Sequence, residues 1–458
     1  MFLPTLNLQD FFSLGIVYQL SMGEHYEQRD YLPPTLRHKI ERISGFRKQS
    51  TQVPSQTSGT FAPNSQIRIW LPPRAIIDLG SLVMRFQLTL TPNTATTVSA
   101  PRFAQSFFRK VELLIGGKSL VLSSLNQYAD AFNAIGNVVI DPIKQKEMSI
   151  YELGGDVVVG TGAAQGNGLN GVYTSATTVN VAVSNWLGAL SGSLTKYLPT
   201  QIMGSQGVEL RITLNDATIL PVTGTVGAAT YSIQNVFLTS DIISFQNDLY
   251  GKALADVWEA GLPVRLPFKD FYDYSSSTSA SGINSTFSLS SESIDSIWTV
   301  LRSLTYNTQA VINTTSLTSN YFTFISGTDG VAGNPQATYV YTINSLQYPQ
   351  YQADHVDVYN SLLKVSALNS GSHPHYTNGI SGLAQWVGGK FVVPLSLEMN
   401  QRDNRDIVSS GLSTSGANLP IVFKASGTSL SSGFIASHFV ETTSELQVFP
   451  GELVVLKP

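Results

Sequence analysis

The sequence predicts an all-β chain of two successive strand-rich halves behind an N-terminal arm, and three observations carry this. Ser, Thr, Gly and Asn are abundant beside 22 Phe and 19 Tyr, while charged residues make up only 13% of the 458. Short strands joined by polar loops have this composition. Apolar residues recur with period two in one segment after another, the signature of half-buried strands. The order of elements also repeats, each half reading as strands, one helix, a long polar excursion and more strands, although residue identity between the halves is poor. The length predicts two or three domains of about 150 to 200 residues each. We place an arm at 1–60, a first β domain at 61–246, a linker helix at 247–262 and a second β domain at 263–458.

In the arm, Pro33-Pro34 precedes Leu36 to Lys48, which reads as a short basic helix before a Ser/Thr/Gln/Gly tract. Arg37, Lys39, Arg42, Arg47 and Lys48 stand there against Glu41 alone, a set able to hold the phosphates of a nucleic acid or of lipid head groups. Equally, the helix could pack under a neighbouring subunit through Leu36, Ile40 and Ile43. Strand period then begins with Ile67, Ile69 and Leu71, continues through Leu82 to Leu90, and returns at Phe107 to Ile115. In this last run Phe108, Lys110, Glu112 and Leu114 alternate with Arg109, Val111, Leu113 and Ile115, and Gly116-Gly117 supplies the pair of positive-φ residues a tight hairpin favours. Leu125, Tyr128, Ala129 and Phe132 share one face of a helix at 125–135. A Gly/Ala/Thr/Asn-rich excursion from Gly154 to Ser184 is followed by strands at Val208 to Leu214 and Tyr231 to Phe245, and Gly261 ends the linker helix.

The second half predicts strands at 264–271, 287–289, 296–301, 338–343, 391–397, 421–424, 434–441 and 445–456, with a helix at 353–367. A second excursion spans Ser303 to Pro335.

Motifs for chemistry are weak. Val157 to Gly166 approaches a dinucleotide fingerprint, but Gln165 stands where the third glycine belongs and Asn167-Gly-Leu-Asn-Gly171 will not form the helix that must follow. His373 and His375 offer two imidazoles without the further ligands of a closed metal site, and Asp403, Arg405 and Asp406 read as a solvated turn. There is no Gly-x-Ser-x-Gly elbow and no recognisable carboxylate pair, so neither catalysis nor a cofactor is expected. With no Cys, disulfides and thiolate chemistry are excluded. A net charge of -4 gives no overall basic footprint for wrapping nucleic acid. Met1 to Leu20 lacks a basic start and a small-residue cleavage site, so no signal peptide is expected, and no apolar run is long enough for a spanning helix.

Taken in order, these segments resemble the double-jelly-roll major capsid proteins of icosahedral DNA viruses, a family shared by nucleocytoplasmic large DNA viruses, virophages, polinton-like viruses and membrane-containing tailless phages. Arg109 to Lys118 with Asn126-Gln-Tyr128 is similar to the strand, Ile-Gly-Gly turn and helix of the first roll, and Tyr197 to Thr200 and Gly207 to Asn215 to its later strands. Leu266 to Lys269, Ser293 to Trp298, Tyr341 to Pro349, Val358 to Lys364, Ser410 to Ser415 and Leu446 to Gly451 resemble segments of the second. The likeness runs through nearly all the chain from about residue 60, though the turn reads Gly-Gly-Lys where many relatives have Gly-Gly-Gln.

The resemblance implies two eight-stranded antiparallel jelly rolls, a homotrimer forming a pseudo-hexagonal capsomer, and a place in the virion shell. It further implies an arm on the inner side, where Arg37, Lys39, Arg42, Arg47 and Lys48 meet a neighbour, an internal membrane or the genome, with penton and minor capsid proteins as further partners. Gly116 and Gly117 are then a structural hairpin. The rival expectation is a glycan-binding β-sandwich, which would need aromatic side chains such as Trp186, Trp258, Trp298 or Trp386 gathered in an open concave site.

Overall fold

The computed structural model describes residues 45–93, 96–101, 103–115, 120–121, 125–140, 173–191, 196–203, 207–224, 229–245, 249–278, 282–304, 306–307, 320–325, 337–370, 386, 389–398, 411–416, 419–427, 434–449 and 453–457. Arg47–Pro458 forms one compact unit. Its first part contains β1 (Phe46–Pro54), β2 (Gln66–Trp70), β3 (Ile76–Thr91), β4 (Thr96–Val98), β5 (Phe108–Ile115), β6 (Leu120–Val121), helix α1 (Tyr128–Val139), β7 (Thr177–Val183), β8 (Tyr197–Pro199), β9 (Val208–Leu214), β10 (Val222–Gly224) and β11 (Thr230–Phe245). Helix α2 (Leu249–Glu259) leads to the second part: β12 (Val264–Thr278), β13 (Gly282–Ser288), β14 (Ile294–Ser303), β15 (Thr338–Ile343), β16 (Leu346–Ala353), helix α3 (His355–Ser370), β17 (Val393–Ser396), β18 (Pro420–Ser426), β19 (Phe434–Phe449) and β20 (Leu453–Lys457).

Each part is a sandwich of two sheets. The first pairs β1-β11-β3-β7, with β8 also on β3, against β2-β9-β5-β6, and β4 joins β10 in a small ribbon. The second pairs β12-β19-β14-β17, with β20 also on β19, against β13-β18-β15-β16. In both, the last long strand returns between the first two long strands of its sheet, the crossover that defines a jelly roll. Side chains from facing sheets fill each gap. Phe86 of β3 lies 6.1 Å from the Phe108 ring of β5, and Tyr274 of β12 stacks at 4.7 Å on Phe287 of β13.

Strands β9 and β15 have the bounds their periodicity predicts. Elsewhere tertiary context changed the outcome. The alternation in β5 groups Phe108 with Lys110, but a bulge at Arg109 shifts the register, so Phe108 joins Val111, Leu113 and Ile115 in the core. Residues 434–441 and 445–456 read as two strands divided at the polar Thr442-Thr443-Ser444. They form instead the continuous β19, followed by β20, because those hydroxyls are buried and Thr443 Oγ1 donates to Asp295 at 2.7 Å. β7 closes the excursion read as loop, its Val179, Val181 and Val183 alternating as a strand requires. The sequence predicts no strand at β16 because Pro349 interrupts it. It survives as the edge of its sheet, where no partner needs the missing N–H. β1 lies wholly inside the stretch 1–60 read as arm, and Phe46 to Lys48 are strand rather than helix. The Gly116-Gly117 turn lies outside the described residues, although Ile115 and Leu120 on either side of it pair antiparallel.

Among the described residues glycine is required at two close approaches, Gly411 and Gly427, of which the first is the tighter. A Cβ on Gly411 would stand 2.3 Å from the Ile294 carbonyl oxygen, where the chain bridges onto β14 through Leu412.

Candidate assembly surfaces

The two rolls meet through polar chemistry. Helix α1 has eleven of its twelve residues buried, which an amphipathic helix on one core cannot achieve. Its apolar side packs in the first roll, where Phe132 makes an edge contact with Phe103, and its other side lies against β14 of the second. There Asp130 and Arg302 form a buried ion pair at 3.0 Å. Arg302 also donates to Gln127 Oε1 at 3.2 Å and Ser437 Oγ at 2.9 Å, and its guanidinium lies 4.2 Å from the Tyr306 ring centre. Burial pushes the Asp130 carboxyl above its ordinary pKa, against the pull of Arg302. A second tie runs from the Asn126 N–H to Asp273 Oδ1 at 2.8 Å. A polar cavity of about 480 Å³ opens beside this junction, lined by Arg109, Asp130 and Asp216 of the first roll and Tyr306 and Tyr321 of the second.

Further along the same sheet face, Lys269 reaches Asp295 at 2.6 Å and Glu398 at 2.7 Å. Burial works against its ammonium, yet Glu441, Asp295 and Glu398 together raise its pKa above the ordinary value. Glu441 accepts from Ser296 Oγ at 2.6 Å, and burial raises its carboxyl although Lys269 lowers it. The 3-10 turn Gly188–Leu190 of the first roll packs on β12 here. Inside the second roll, His438 Nδ1 is 2.7 Å from Thr299 Oγ1 and Nε2 is 2.8 Å from Ser285 Oγ, while the Tyr341 hydroxyl donates to Thr299 Oγ1 at 2.6 Å. Burial lowers the His438 pKa to about 3 and raises that of nearby-strand Asp270 to about 7.

Of the residues the sequence singles out, Arg37, Lys39, Arg42, Gly116, Gly117, His373, His375, Asp403, Arg405 and Asp406, with the 157–171 loop, lie outside the described residues. Arg47 and Lys48 lie on β1 and are exposed, and Lys48 is tied to Asp241 at 2.8 Å and Asp78 at 3.4 Å on its own sheet. Trp186, Trp298 and Trp386 are buried, so they form no open aromatic platform for a sugar. Trp186 donates to the Leu82 carbonyl at 3.0 Å and Trp298 to Ser296 Oγ at 2.8 Å. Among the described residues no cluster of His, Asp and Glu is arranged to hold a metal, and no helix is long and apolar enough to cross a membrane. The sequence does not mark the pairing roles of Asp130, Lys269 and Arg302, since none belongs to a chemical motif. The one available signal was a charged residue in each otherwise apolar, strand- or helix-forming stretch.

No protein-family model and no curated protein sequence matches the chain. Solved structures do. The capsid of PBCV-1 virus superposes with a TM-score of 0.60 at 13% identity over 92% of this chain and 99% of that one. The Faustovirus major capsid protein follows at 0.57 and 10% identity, over 92% and 93%. The mavirus major capsid protein gives 0.50 at 9% identity, over 93% of each. The chain therefore has the tandem double-jelly-roll fold of these capsid proteins.

Proposed function

We propose that this chain is a major capsid protein that trimerises into pseudo-hexagonal capsomers and tiles an icosahedral virion shell. The observation that supports it is the likeness to viral capsid proteins along both rolls, covering more than nine tenths of this chain and of theirs. Two similar rolls fixed side by side give one chain two similar outer edges, and three chains in a ring give six. Such a block tiles a shell without needing six identical subunits. Many polar contacts of modest strength, expected of a surface with 13% charged residues, let misplaced blocks dissociate.

The N-terminal arm lies on the inner side in this reading. Arg37, Lys39, Arg42 and Arg47 meet the genome, an internal membrane or a neighbouring subunit there. Lys48 has two carboxylates of its own sheet beside it and contributes less charge outward. Penton and minor capsid proteins complete the partners. Light scattering of the purified chain tests the reading: a particle of about three times 49.6 kDa is expected, with three-fold pseudo-hexagonal outlines in electron micrographs. A monomer at every concentration that forms neither outlines nor shells would refute it.

A further inference from the structure

Each roll sets one lysine across three neighbouring strands of its larger sheet. In the first, Lys48 of β1 reaches Asp241 of β11 at 2.8 Å and Asp78 of β3 at 3.4 Å. In the second, Lys269 of β12 reaches Asp295 of β14 at 2.6 Å and Glu398, just beyond β17, at 2.7 Å, with Glu441 on the intervening β19. Their surroundings differ. Lys48 is 47% exposed, whereas Lys269 is 16% and Asp295 1% exposed, and the turn Gly188–Leu190 of the first roll packs on β12 beside them.

The Asp295 carboxyl is set up as an acyl acceptor. Ser293 Oγ donates to its Oδ1 at 2.7 Å and Thr443 Oγ1 to its Oδ2 at 2.7 Å, while the Gly411 N–H donates to Ser293 Oγ at 3.0 Å and fixes that hydroxyl. Donors on both oxygens stabilise the charge that gathers there when a nucleophile adds to the carbon. The nucleophile at hand is Lys269 Nζ. Its 2.6 Å contact with Oδ2 leaves it one C–O bond from Cγ, and reacting atoms about 3–3.5 Å apart are in near-attack range. Glu398 Oε1 accepts from the same nitrogen at 2.7 Å, held there because the Leu397 N–H donates to the Asp295 carbonyl at 2.8 Å.

We infer that Lys269 and Asp295 join in an isopeptide bond, an amide between Nζ and Cγ formed with the loss of one water. The ammonium brings three protons. One passes to Glu398 and frees the lone pair that attacks Cγ, while the developing oxyanion on Oδ1 is held by Ser293. Oδ2 then leaves as water with two protons, one received directly from Nζ and the other returned by Glu398. The third proton stays on the amide nitrogen, so atoms and charge balance and no co-reactant is needed. Burial works against the ammonium, yet the neighbouring carboxylates keep it the resting form, so the bond forms slowly after folding. Two features drive it forward: the pair is held in place, and the neutral amide removes two charges from a site shielded from water. Lys48 lacks both the shielding and the short contact with its aspartate, so one water is lost and not two.

Intact-mass spectrometry of the purified full chain, denatured after increasing times at neutral pH, tests this. The mass should fall below the encoded value by one water, and proteolysis with tandem spectrometry should yield a branched peptide joining the segments of Lys269 and Asp295. Lys269→Met and Asp295→Ala should each keep the encoded mass. Glu398→Gln retains both reacting groups and should slow the loss of water by about a hundredfold, the scale of a lost proton acceptor. Circular dichroism checks that each variant folds; the branched peptide of the wild type decides the matter if one does not. A folded wild-type chain that stays at its encoded mass would overturn the inference, and so would a lost water mapped to any other position. A wild-type rate in Glu398→Gln would overturn the role given to Glu398. The capsid reading stands or falls separately, since none of these readouts depends on assembly.

Discussion

Strand β3 of the first roll and strand β14 of the second hold the same place, each beside a 16-residue strand in the larger sheet of its sandwich. From Leu82 to Thr91, β3 alternates buried core residues with more exposed ones such as Arg85 and Thr91. β14 buries nine residues in succession. Composition does not explain this, since both stretches carry polar residues, Arg85, Gln87, Thr89 and Thr91 in β3 and Asp295, Ser296, Thr299 and Arg302 in β14. What differs is the number of covered faces. A strand with one face on a core reads with period two; a strand covered on both faces loses the period, and where the second cover is a polar interface it keeps polar residues at full burial. Period therefore reports how many neighbours a sheet has, and the loss of period in β14 marks the roll-roll contact.

The sharpest way to break this comparison is to remove one arginine from each sheet. Arg302→Ala leaves the Asp130 carboxylate buried without its partner, and such a loss costs about 3–5 kcal/mol. Arg85→Ala removes an exposed side chain from the open sheet and should fall within about 0.5 kcal/mol of wild type in the isolated chain. Urea unfolding monitored by tryptophan fluorescence gives both values. Equal losses would mean that β3 is covered as fully as β14.

The same contrast explains what the sequence made legible. β9 and β15 were readable to the residue because each alternates against a single core, and α1 was readable as a helix from Leu125, Tyr128, Ala129 and Phe132. The second buried side of α1, the continuity of β19 through Thr442 to Ser444 and the roles of Asp130, Arg302 and Lys269 were not readable. In each case the deciding partner comes from the other roll or a distant strand, and a local pattern holds no record of it. Arg47 and Lys48 show the converse: they were grouped with a helix because their charge resembles that of Arg37 to Arg42, whereas pairing with β11 draws them into a sheet. The order of whole elements identified the fold where no motif did.

A smaller effect sharpens the comparison inside the cores. The first roll's gap is filled by aromatic contacts such as Phe108 on Trp186 at 6.1 Å, while the second roll's gap holds His438 between Thr299 and Ser285. With a folded pKa of about 3 against an ordinary 6.5, His438 stays neutral in the fold while the unfolded chain takes up a proton. Its contribution to stability is therefore lost as pH falls through 6.5 towards 3. Asp270 acts in the opposite sense: with its folded pKa raised to about 7, the fold takes up a proton before the unfolded chain does, and stability is gained as pH falls from 7 towards 4. The two oppose each other in a wild-type profile, so the difference between wild type and His438→Asn isolates the first. That difference should change by about 2 kcal/mol between pH 7.5 and pH 5, to the variant's relative benefit at the acid end. Parallel profiles would mean that His438 titrates normally and that the second core is open to water.

The smallest effect on stability is expected where the comparison ends, at the arm. Removing residues 1–44 spares β1, whose ladder with β11 closes one edge of the first roll's large sheet, and spares Lys48 with its two carboxylates. The thermal midpoint should stay within about 2 °C of the full chain, because a change below roughly 0.5 kcal/mol moves a domain of this size by no more than that. The trimer that the proposed capsid role expects should persist as well. On the proposed capsid role shell formation should fail, because Arg37, Lys39 and Arg42, which that proposal sets on the inner side, are lost. Electron microscopy of the truncated chain reads this directly: free capsomers are the expected result. Closed shells of normal size would instead mean that contacts between the rolls of adjacent capsomers suffice to set curvature, and the arm would have no part in assembly.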